Sequence, residues 1–120
     1  MYKIEYYKDE KGNCLYDEYI KELKSDGCLR EIEKIENYIY LLKYKGEGIF
    51  YFKDHAKHLV YDLCELRPFP NRIFYYYCRF NSKYIILHCF KKKTNKTPDN
   101  EIDKAIDEIN KYERMIKSEQ

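Results

Sequence analysis

The sequence predicts an α+β domain in the order β-α-α-β-β-β-α, with helices packed on one face of a mainly antiparallel, twisted sheet. Three observations predict it. The chain opens on an alternating segment, with Tyr2, Ile4 and Tyr6 on one side and Lys3, Glu5 and Tyr7 on the other. Two helix-periodic segments follow. A succession of apolar, aromatic runs separated by turns then reads as a meander leading into one last amphipathic helix. At 120 residues, positions 1–120 are read as one domain with a single core.

Taken in order, the alternation over residues 2–7 describes a half-buried strand, and Lys8 to Asn13 is a polar turn containing Gly12. Asn13 is placed to cap a helix from Cys14 to about Ser25, because Leu15, Tyr16, Tyr19, Ile20 and Leu23 share a helical face. Gly27 ends it. Cys28, Ile32, Ile35, Ile39 and Leu42 recur at spacings of three and four, so a second helix follows through the short Asp26-Gly27 joint and stops at Gly46. Residues 47–58 read as a core-plugging loop or short strand, and a polar bend there holds His55 and His58. That histidine pair lacks a third ligand, and no metal site is expected.

Three strands come next: Leu59–Leu66, Arg72–Phe80 and Tyr84–Phe90. The prolines of Pro68-Phe69-Pro70-Asn71 force a rigid loop between the first two, and the tight Asn81-Ser82 turn makes the last two antiparallel neighbours. Thr97 is read as a cap and Pro98 as the opening of the final helix, with Ile102, Ala105, Ile106, Ile109, Tyr112 and Ile116 along its apolar face.

Composition narrows the function classes. With 44% hydrophobic and 37% charged residues the chain is globular rather than disordered. Its 15 tyrosines and no tryptophan suit core closure or base stacking alike. Five singly scattered cysteines, with no C-x-x-C pair, argue against a disulfide framework or zinc knuckle and for a reducing compartment. No run spans a membrane and the N-terminal residues lack a signal-peptide core, so a cytoplasmic location is expected. Charge is segregated beneath a net +2: residues 51–97 hold 10 basic and 3 acidic groups, while the flanking segments are net acidic. Steering of a polyanion depends on that local excess.

In a meander the exit of the first strand, the entry of the second and the exit of the third share one end of the sheet. Arg67, Arg72 and Lys91, Lys92 and Lys93 are therefore expected to converge, with Lys96 nearby, as a phosphate-binding cluster. The plainer alternatives are that Arg67 pairs with Glu65 or a helix acid, and that Arg72 covers an aromatic face. Cleaving a phosphodiester without a metal needs an activated 2′-hydroxyl, a protonated leaving oxygen and cations over the charge developing on phosphorus. Arginine suits the last role, and a lysine crowded by cations suits acid–base work. His88 is a further candidate acid or base, with packing inside the domain as its ordinary role.

Positions 63–67 read LCELR, Arg72 opens the aromatic strand RIFYYYCRF, and YIILHCFKKKTNKTP at 84–98 precedes the last helix. Over residues 59–112 this pattern resembles the RelE/HigB-type toxins of bacterial toxin–antitoxin pairs, in particular their phage-derived branch. The KKTxKTP element after LHxF is its most specific part. The resemblance implies a RelE-like fold and a cofactor-free, ribosome-dependent mRNA endonuclease. Such an enzyme enters the ribosomal A site and promotes 2′-hydroxyl attack on the adjacent phosphate, leaving a 2′,3′-cyclic phosphate. The implied partners are a cognate antitoxin of helix-turn-helix type, the ribosome and mRNA, with operator DNA reached only through the antitoxin and no membrane.

The resemblance also implies residue roles. Arg72 matches the arginine at the scissile phosphate, Lys92 the basic residue that helps protonate the leaving oxygen, and Lys91 and Lys93 flanking RNA contacts. Two departures stand out: Leu63 and Glu65 occupy positions where well-studied members carry lysines, and Pro98 one where they carry a tyrosine. The general base then falls to His88 or a neighbouring lysine. Two alternatives of the same fold are a ParE-like topoisomerase inhibitor and a non-catalytic member that only binds its antitoxin.

Overall fold

The computed structural model describes residues 1–119. Strand β1 (Lys3–Tyr6) is followed by helices α1 (Leu15–Ser25) and α2 (Leu29–Lys45) and a 3-10 turn over Gly46–Tyr51. Strands β2 (Ala56–Val60), β3 (Leu63–Leu66), β4 (Asn71–Cys78) and β5 (Lys83–Lys91) come next, and α3 (Asp99–Ser118) closes the chain. The sheet order is β1-β5-β4-β3-β2, antiparallel except for the parallel β1–β5 pair. The α+β class and the mainly antiparallel sheet are those the sequence predicts.

Two features of the meander differ from expectation. The run read as one strand over Leu59–Leu66 is a hairpin, because Tyr61 takes a left-handed φ of 51° and turns the chain between β2 and β3. A mostly apolar run carried across a two-residue turn looks continuous in sequence, which hides the break. The turn after β4 is wider than the expected Asn81-Ser82 pair: Cys78 pairs with Lys83, so residues 79–82 form it, with Ser82 at φ 56°, and β4 and β5 are the antiparallel neighbours predicted.

Helices against one face describes α1 and α2; α3 closes the other. Ile35, Ile39 and Leu42 pack with Ile73, Tyr75 and Ile86, whereas Ala105 and Tyr112 pack with Phe74, Tyr76, Ile85 and Leu87. The two sets alternate along β4 and β5, as side chains on opposite faces must. The sequence reason is that IFYYYC and YIIL are apolar without interruption, the signature of strands covered on both sides. Ile73, Phe74, Tyr76, Ile85, Ile86 and Leu87 are all 0% exposed, each buried aliphatic or Phe side chain contributing about 1.5–3 kcal/mol of transfer free energy.

A bulge adjusts β5. Phe74 pairs with His88 but Tyr75 pairs with Ile86, so Leu87 is the extra residue. Leu87 and His88 consequently both turn toward α3. Gly46 is needed where α2 ends: its φ is 56°, and the Tyr2 ring lies where a side chain would begin. Among the described residues no helix is long and apolar enough to cross a membrane.

Candidate functional site

The expected convergence occurs for Arg67, Arg72 and Lys92, at the end of the sheet where β3 exits, β4 enters and β5 exits. Main-chain bonds fix these ends: Arg67 N–H donates to His55 O at 2.8 Å and Lys92 N–H to Pro70 O at 2.8 Å. The second bond carries the β4–β5 pairing one residue past Lys91, so Lys92 leaves the sheet on a held backbone.

Glu65 is the hub. Its side chain is 2% exposed, with one carboxylate oxygen 3.9 Å from Arg72 Nε and the other 3.8 Å from Arg67 Nε. The Thr97 hydroxyl donates to the first of these oxygens at 3.2 Å. Thr97 therefore ties the start of α3 to β3 instead of capping the helix, whose N-cap, Pro98, makes no side-chain hydrogen bond. Similarly, Asn13 does not cap α1; its side chain and backbone N–H both bond Asp9, closing the preceding turn.

Arg72 is 5% exposed and lies on the α3 face beside Glu65. One of its Nη groups donates to Asn71 O at 3.0 Å, while Nε has no hydrogen-bond partner. Burial pulls its pKa down, Glu65 opposes that, and Arg67 adds to it. Lys92 stands close enough for its ammonium to be held below the usual lysine range, first by desolvation and then by Arg72 and Arg67. Lys57, Glu65, Arg67, Lys92, Thr97 and Ile102 line a concavity of about 430 Å³ over this cluster.

The lysine run is split by strand alternation. Lys91 turns to the α2 face, 3.4 Å from Glu31, which also accepts 2.9 Å from the Asn71 amide; Asn71 in turn accepts from the Tyr19 hydroxyl. Lys91 thus belongs to a bracket joining α1, α2 and β4. Lys93 is exposed, and Lys96 stands at the rim of the concavity, 84% exposed and 4.0 Å from Asp99.

His88 is not brought into the cluster. It is 2% exposed beneath α3, with Nδ1 2.6 Å from Glu108 and Nε2 3.4 Å from Glu101, and it stands edge-on to Phe74. The bulge at Leu87–His88 causes this, by turning the ring toward the helix. Glu65, Thr97 and Lys57 are the members that sequence reasoning did not assign to the site. The signal was the E-x-R pair at Glu65 and Arg67, whose i, i+2 spacing puts both on one strand face.

A family model described as phage-derived protein, Gp49-like, matches residues 18–110. The chain belongs to this Gp49-like family. Gp49-like proteins are associated with RelE/HigB-like toxins of toxin–antitoxin pairs. No curated protein matches the chain significantly. The Gp49-like segment runs from α1 into α3, and so contains Glu65, Arg67, Arg72, Lys92 and Thr97.

Proposed function

We propose that this Gp49-like protein is the toxin of a toxin–antitoxin pair and acts as a cytoplasmic endoribonuclease on ribosome-bound mRNA, a cognate antitoxin of helix-turn-helix type neutralising it. The observation that carries this reading is the meeting of Arg67, Arg72 and Lys92, from three separate segments, around one buried carboxylate under an open concavity. A trigonal-bipyramidal phosphorane concentrates negative charge, and cations fixed in advance stabilise it without reorganising. Arg72 acts from beside Glu65 as a held positive charge. Arg67, with 30% of its side chain exposed, reaches the phosphate oxygens directly.

Lys92 has the chemistry of a proton donor to the departing 5′-oxygen, because a depressed pKa makes an ammonium a stronger acid. Lys96, exposed at the rim, and Lys93, exposed next to Lys92 in the chain, supply backbone contacts to the message. Lys91 contributes through the general field of that end, its ammonium being drawn to Glu31. His88 has no part in this reading, and the attacking 2′-hydroxyl loses its proton to solvent water in the open concavity while Lys92 supplies one to the 5′-oxygen. The test is cleavage of a defined mRNA with and without programmed ribosomes: cutting only with ribosomes, lost in Lys92→Ala, supports it. Ribosome-independent cutting, or cutting undiminished in Lys92→Ala, overturns it.

The near-complete burial of Arg72 favours one second reading, a member that binds its antitoxin without cutting RNA. The same assay separates the two, since that member leaves mRNA intact on ribosomes. A gyrase supercoiling assay tests the ParE-like alternative.

A further inference from the structure

The opposite end of the sheet, about 20 Å from Arg72 along β4, holds a second cavity, of about 270 Å³. Tyr77 late in β4, Tyr84 early in β5, Tyr61 at the β2–β3 turn and Phe50 of the 3-10 turn give it aromatic walls. Tyr75 also lines it, 2% exposed, with a hydroxyl that makes no hydrogen bond. Two carboxylates, Glu47 and Asp62, line it beside His58 and Cys64, and neither carboxylate takes part in an ion pair among the described residues.

The lip is held in place at a cost. Tyr61 sits at φ 51° with its ring 80% exposed, a conformation that costs a non-glycine residue about 1–2 kcal/mol. The His58 ring nitrogen donates to the Tyr61 carbonyl and fixes the turn. Burial, aided by Glu47, pushes the Tyr84 phenol up to about 12, so the ring stays neutral and its hydroxyl stays a donor.

Ring faces carry negative potential, and unpaired carboxylates add to it. A nucleotide phosphate is repelled by Glu47 and Asp62, whereas a cation on an apolar stem meets rings along its stem and carboxylates at its head. Arg79 also lines the cavity but is exposed and unpaired among the described residues, so it can turn to solvent. We propose that this cavity receives an arginine side chain of a partner protein, the antitoxin, and so anchors the partner away from the cationic cluster. Only the partner's identity rests on the toxin–antitoxin reading; the chemistry of the pocket stands apart from it.

The probe is N-acetyl-arginine-N-methylamide, titrated into protein carrying ring-labelled tyrosine and followed by NMR. Saturable shifts at Tyr61, Tyr77 and Tyr84 are expected, absent with the norleucine analogue. In Glu47→Gln/Asp62→Asn the affinity should fall about tenfold, the loss of a desolvated charge pairing. An equal response to norleucine, a preferential response to guanosine monophosphate, or no response at these rings overturns the proposal. The same double variant keeps its ribosome-dependent cleavage, so failure of the arginine titration and failure of the endonuclease reading are separate results.

Discussion

Arg72 Nε and a carboxylate oxygen of Glu65 lie 3.9 Å apart, with 6% and 2% of their side chains exposed. A charge buried this far is tolerated only beside a compensating one. The pair joins the start of β4 to β3, and its Glu65 lines the concavity together with Lys92.

Removing one partner strands the other. Glu65→Ala should lower stability by about 3 kcal/mol, the order of cost for an uncompensated buried charge. Glu65→Leu/Arg72→Met should recover most of that loss, because apolar groups of similar volume need no partner. Urea denaturation midpoints at constant slope check both; a Glu65→Ala midpoint within error of the parent contradicts the hub role.

Lys92 should titrate below the ordinary lysine value of 10.5, through burial first and Arg72 and Arg67 next. The unfolded chain then holds the proton across the interval between the depressed value and 10.5, so stability rises with pH through that interval. Lys92→Met should flatten this rise. The Cε resonance of Lys92 reports the midpoint directly, and Arg67→Gln should move it upward by removing a like charge. A midpoint unmoved by Arg67→Gln counts against the crowding.

His88 and Glu108 form a 2.6 Å bond under α3 and belong to the framework that holds the helix. Glu108→Leu should cost about 1–3 kcal/mol, since it leaves a buried ring nitrogen unpaired. Its mRNA cleavage should stay at the parental rate at temperatures where it is folded. A tenfold or larger loss of rate in folded Glu108→Leu shows that the pair reaches the chemistry.

Gly46→Ala should destabilise by at least about 1–2 kcal/mol from backbone strain alone. An added Cβ would also overlap the Tyr2 ring. Thermal unfolding reads the loss, and Tyr2→Ala in the same chain should relieve the clash but not the strain.

The sequence carried the adjacency of β3, β4 and β5, and with it the meeting of Arg67, Arg72 and Lys92, because a meander fixes which strand ends coincide. Alternation past Lys91 was equally available and separates Lys91 from Lys92, yet a run of three lysines reads as one patch until the strand's end is known. Glu65 looked like a departure from a pattern of lysines; only burial shows that it organises the arginines. Thr97 carried a capping signal that a tertiary partner overrode. The Leu87–His88 bulge and the Tyr61 turn leave little trace in composition, so the destination of His88 and the β2–β3 hairpin show only in the fold. The aromatic cavity draws on four separate segments and has no local signature.

The central claim is that a proton donor and fixed cations at this sheet end cut mRNA on the ribosome. The most direct measurement is the single-turnover rate of mRNA cleavage on programmed ribosomes for the parent and Lys92→Ala, with folding checked by circular dichroism. The account predicts ribosome-dependent cutting by the parent and a loss of about 10²–10⁴-fold in the variant, the range for a positioned general acid. Equal rates in the two folded proteins would contradict it.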